Sequence, residues 1–62
     1  MMDITDKDNL WRITYHSITN LITNEVRLVK NIPKGSTISY MNYNLFIRSC
    51  EIAFNTGEWP NI

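Results

Sequence analysis

Cysteine is almost missing from this sequence: Cys50 is the only one, so no disulfide can close within the chain. Histidine is as scarce, with His16 alone, and a closed zinc site wants four ligands that these two residues cannot supply. No metal site and no cofactor are expected. A surplus of charge of either sign is missing too. Lys plus Arg and Asp plus Glu number six each, which argues against the basic surface of an ordinary nucleic-acid binder and the acidic surface of a DNA mimic. The two glycines, Gly35 and Gly57, lie too far apart to build a phosphate loop. Long apolar runs are absent, so no transmembrane span is expected. The stretch Met1–Asp6 is acidic and does not read as a signal peptide. An unpaired thiol suits a reducing compartment, and the expected location is cytoplasmic.

The 62 residues hold one domain at most. A chain this short buries only about 60% of its unfolded surface, so a second subunit or a partner protein is expected to complete it. Nine Ile and eight Asn stand against one Ala. That balance follows AT-rich coding and suggests a phage or mobile-element source, with a host protein as the target.

Residues 10–32 carry two conflicting signals. Ile13, Thr14, Ile18, Thr19, Ile22, Thr23, Val26 and Val29 are β-branched and favour strand. On a helical wheel, however, Leu10, Trp11, Tyr15, Ile18, Leu21, Ile22, Val26, Leu28, Val29 and Ile32 fall within an arc of roughly 160°, leaving only Ile13, Thr14 and Glu25 misplaced. Thr5-Asp6-Lys7-Asp8 has the form of a capping box, and a hairpin turn in 19–24 would have neither Gly nor Pro. The periodicity predicts a helix over about 6–31. A β-hairpin followed by one helix is the alternative.

After the break at 32–37, Tyr43, Phe46, Ile47, Cys50, Ala53 and Phe54 repeat at helical spacing, and Gly57 suits a C-terminal cap. A second helix is expected over about 38–55, with a tail at 56–62 that brings Trp59 onto Trp11. The expected fold is therefore all-α: an antiparallel two-helix hairpin, completed by homodimerisation into a four-helix bundle.

Ile38, Met41, Leu45 and Ile52 form a second apolar stripe on the second helix, with Tyr40 beside it. These five residues are the expected protein interface, serving a dimer or a groove on a target. Catalytic groups are not expected. His16 has no carboxylate three or four residues away, and Cys50 sits in an apolar stripe without a visible base. The expected function is that of a small non-catalytic regulator or inhibitor acting by protein–protein contact. One alternative is a dimeric nucleic-acid binder using Arg12, His16, Arg27 and Lys30 on the polar face of the first helix. A lesser one is a nucleotide or small-ligand sequestering protein using Tyr15, Tyr40, Tyr43 or Trp59 as stacking surfaces.

Overall fold

The computed structural model describes residues 2–61. Met1 and Ile62, the last residue of the expected tail, lie outside the described residues. The chain is α+β, so the all-α hairpin and its four-helix bundle are overturned. Four strands, β1 (Asp3–Thr5), β2 (Trp11–Thr14), β3 (Ser17–Asn20) and β4 (Glu25–Leu28), form an antiparallel sheet in sequential order. Helix α1 (Gly35–Ser39) and helix α2 (Tyr43–Thr56) follow.

Turn chemistry decides the first half. The segment Thr5-Asp6-Lys7-Asp8 caps no helix, and Asp6 organises a loop. Its carboxylate accepts hydrogen bonds from the backbone N–H groups of Asp8, Leu10 and Trp11 at 3.0, 2.7 and 2.7 Å, closing the β1–β2 loop. Asn9 takes a left-handed conformation in that loop, with φ of 56°. Between β2 and β3 only Tyr15 and His16 intervene, and the Thr14 hydroxyl accepts from the N–H groups of His16 and Ser17. The β3–β4 connection does lack Gly and Pro, but asparagine replaces both. Asn20 Oδ1 accepts from Ile22 and Thr23 N–H, and Asn24 adopts φ of 64°. Asn side chains tolerate this region better than other non-glycine residues.

With the turns set, the ladder puts alternate residues on opposite faces. The pairs Ile4↔Ile13 and Ile13↔Ile18 line the inner face, while Thr5↔Arg12 and Arg12↔Thr19 line the outer one. Ile13 and Ile18 are fully buried. Helix α2 covers the inner face and buries Phe46, Cys50, Ala53 and Phe54 against them.

The expected continuous second helix is broken at residues 40–42. Asn42 starts α2 by accepting from Asn44 and Leu45 N–H, and Gly57 ends it at φ of 84°. The tail then returns beside the end of β4. Lys30 N–H donates to Gly57 O at 3.0 Å, and Trp59 N–H donates to Lys30 O at 2.8 Å, forming a short parallel bridge. Trp59 joins the core cluster, while Trp11 packs on Phe54 with ring centroids 5.3 Å apart. No helix among the described residues is long and apolar enough to cross a membrane.

Candidate functional site

The return of the tail creates a groove. Leu45 and Ser49 lie one turn apart on α2, and Met41 just precedes that helix. The backbone bonds at Lys30 fix Trp59 and Pro60 opposite them, with Pro33 at one end. The resulting concavity is about 580 Å³, with Asn31, Thr37, Glu58 and Asn61 as its polar members. Two other surface grooves have similar volumes, 600 and 580 Å³, so size does not single it out.

Its distinguishing feature is Ser49. The side chain is buried, yet its hydroxyl has no hydrogen-bond partner among the described residues. A buried hydroxyl left unpaired costs on the order of 1–3 kcal/mol. It can both donate and accept, but its oxygen is closed off from solvent, so a ligand group recovers that cost by displacing the side chains that cover it.

Two of the five expected interface residues, Met41 and Leu45, meet in this groove. The other three do not. Ile38 is buried in the core, Tyr40 stands out at 91% exposure, and Ile52 lies on another flank of α2 with Leu10 and Tyr43. Ser49 escaped the sequence reading although it fills the gap in the stripe between Leu45 and Ile52 at spacings of four and three. A small polar residue in that register was the available signal.

The basic residues expected on one helix face are dispersed, because that helix does not exist. Arg12 lies on the outer sheet face and donates through Nε to Asp3 Oδ1 at 2.8 Å. That pairing lowers the Asp3 pKa and raises that of Arg12. His16 sits in the exposed β2–β3 turn. Arg27 points to the inner face at its margin, 4.4 Å above the Phe54 ring, and donates to Phe54 O at 3.3 Å. Lys30 is at the tail bridge.

Asp6, Asp8, Tyr43, Lys7 and Cys50 are engaged in structure. Burial works to raise the Asp6 pKa, but the N–H donors of Trp11, Leu10 and Asp8 and the Tyr43 hydroxyl outweigh it, and the net shift is downward. Tyr43 donates to Asp8 Oδ2 at 2.5 Å and also lies 3.1 Å from Asp6 Oδ2, which ties the β1–β2 loop to the start of α2. The Asp8 bond, burial and the charge of both carboxylates push the Tyr43 pKa up. Lys7 stacks over the same ring at 4.4 Å. Burial, helped by the Asp6 charge, pushes the Cys50 thiol up to about 12, which keeps it protonated at neutral pH. No group of three or more His, Cys, Asp or Glu residues among the described residues is placed to hold a metal. No family model, curated protein or solved structure matches this chain.

Proposed function

We propose that this chain is a non-catalytic regulator or inhibitor that binds another protein through the groove between α2 and the C-terminal tail. The unpaired Ser49 hydroxyl beneath an apolar concavity is the observation that carries this reading. The occupant is a protein segment that sets an apolar side chain against Met41, Leu45 and Trp59 and, by moving aside the side chains that cover it, brings a backbone carbonyl or N–H to Ser49. The polar members Asn31, Thr37 and Asn61 suit the rest of such a backbone.

Charge argues for a protein segment over a nucleotide. No Lys or Arg lines the groove, and Glu58 does, so a phosphate would meet a carboxylate. The non-catalytic reading is supported by how the reactive groups are used: Asp6 and Asp8 hold a loop, and Cys50 is a protonated core residue. A single buried thiol is compatible with a reducing, cytoplasmic setting.

Leu45 is 37% exposed in the first turn of α2, and Leu45→Asp is expected to keep the fold, which circular dichroism of the variant checks. Immobilised wild type is expected to retain a partner from source-cell extract that Leu45→Asp loses and Tyr40→Ala keeps. Ser49→Ala weakens the same interaction by roughly tenfold. Retention of the partner by Leu45→Asp would assign binding to a different surface.

A further inference from the structure

The free edge of β4 is charged in a pattern that fits itself. Val29 N–H donates to His16 O, which turns the backbone groups of residue 29 toward β3. Lys30, the next residue, turns its own outward, where they meet Gly57 and Trp59. By the alternation of an antiparallel strand, the N–H and C=O groups of Val26 and Leu28 also point outward. They have no neighbouring strand among the described residues, because the tail covers this edge only at Lys30. The side chains are apolar and exposed: 62% for Val26, 81% for Leu28, and 73% for Ile22 at the adjoining turn. An edge of this kind invites another strand.

We infer that the strand it takes is β4 of a second copy, paired antiparallel about a two-fold axis through Val26. Backbone parity allows the outward residues to pair only with one another, leaving four short registers. An axis through Glu25 opposes two carboxylates, and an axis through Arg27 opposes two guanidinium groups. Like charges directly across a ladder are destabilising. An axis through Leu28 pairs Val26 with Lys30, whose outward groups are already bonded to the tail. An axis through Val26 pairs Leu28 with Asn24, whose N–H is already held by Asn20 O, so charge decides between them. The Leu28 axis sets Arg27 opposite Val29 with no ion pair. The axis through Val26 sets Glu25 of each copy opposite Arg27 of the other, twice, on the inner face. On the outer face it brings the two Val26 side chains together, and the sheets merge into one of eight strands. Charged residues on an edge normally deter pairing. Here Glu25 and Arg27 deter the wrong registers and favour this one.

The contact is confined to a few residues of one short strand, so the dimer is weak and reversible. It is independent of the groove, and Leu45→Asp does not alter it.

Sedimentation equilibrium from about 10 µM to about 1 mM tests it. Wild type is expected to move from monomer to dimer across that range. Glu25→Arg sets two Arg27 groups against two new arginines and weakens association at least tenfold. Glu25→Arg combined with Arg27→Glu restores it, since the opposite charges face one another again. Val26→Pro removes the outward N–H without touching the β3 ladder, and it remains folded and monomeric. Circular dichroism of each variant separates lost pairing from lost fold. A wild type monomeric at about 1 mM would overturn the inference, as would a dimer that survives both Glu25→Arg and Val26→Pro. Val26 and Leu28 amide resonances that shift only on addition of a foreign strand-forming peptide would give the edge to a different partner and overturn it too.

Discussion

The sheet half and the helix half of this protein are held by different kinds of residue. Between 2 and 29, short polar side chains at the turns set the register, and the apolar residues follow. Between 43 and 57, the apolar stripe of α2 is primary, and Asn42 and Gly57 only mark its ends. A sheet strand has no internal hydrogen bonds, so its partners must be aligned from outside, whereas a helix closes its own ladder. Polar turn residues therefore bear more of the specification in the first half.

Ile13→Ala is the largest break in that comparison. Ile13 is fully buried at the centre of β2, between Ile4 and Ile18, yet it is one of the three residues that a helical reading must discard. Truncation is expected to cost about 3–4 kcal/mol, against a total of roughly 3–9 kcal/mol for a domain of this size. Leu28→Ala, on a residue that the same reading places in the core, is expected to change stability by less than about 0.5 kcal/mol. Urea unfolding of the two variants checks both values, and a reversed order would restore the helix.

Asp6 comes next. It accepts from three backbone N–H groups and lies within hydrogen-bonding distance of the Tyr43 hydroxyl, so it joins the two halves. Asp6→Ala is expected to cost about 2–3 kcal/mol. Its folded pKa lies below the ordinary 3.8, so its contribution is present in full above that value. The contribution begins to fall as pH approaches 3.8 and is gone below the lowered folded pKa. Asp3, held down by Arg12, acts with the same sign but is exposed and contributes less. Urea midpoints measured from pH 7 to pH 2 should decline through this acid range, and Asp6→Asn should flatten the decline.

How far the sequence discloses these halves follows from the same contrast. The stripe Phe46, Cys50, Ala53 and Phe54 is readable because one residue in three or four faces the sheet, and Gly57 is readable as a cap. In the first half, three residues of the apparent helical arc, Ile22, Val26 and Leu28, are among the most exposed apolar side chains in the protein. They lie on an open edge and a turn, where neither periodicity applies. The better signal was Asn: positions 9, 24 and 31 all have positive φ, and Asn20 makes the turn that Gly or Pro usually makes. At the groove, Met41 and Leu45 were legible as a leftover stripe. Their juxtaposition with Trp59 was not, because it depends on the backbone bridge at Lys30, which leaves no side-chain pattern.

The left-handed positions sharpen the contrast at a smaller scale. Asn24 and Gly57 share one backbone region, at φ of 64° and 84°. Gly57→Ala is expected to cost about 1 kcal/mol, from conformation alone, since nothing lies within 4 Å of an added Cβ. Asn24→Gly is expected to be neutral within about 0.5 kcal/mol, and Asn24→Val to cost about 1–2 kcal/mol. Thermal denaturation of the three variants gives the order. An Asn24→Val protein as stable as wild type would mean that the β3–β4 turn does not depend on the asparagine.

Ser49 gives the smallest effect on stability and the one whose sign matters most. A buried hydroxyl without a partner opposes folding, so Ser49→Ala is expected to stabilise the free protein by up to about 1 kcal/mol. A residue selected for packing alone would have no reason to remain polar there, while one that awaits a partner's carbonyl or N–H lowers stability in the free state and recovers it on binding. The two measurements must therefore move in opposite directions: a higher melting temperature, and weaker retention of the partner. A destabilised Ser49→Ala protein would show that the hydroxyl is already satisfied in the fold, and the groove would lose the feature that sets it apart from its two neighbours of similar size.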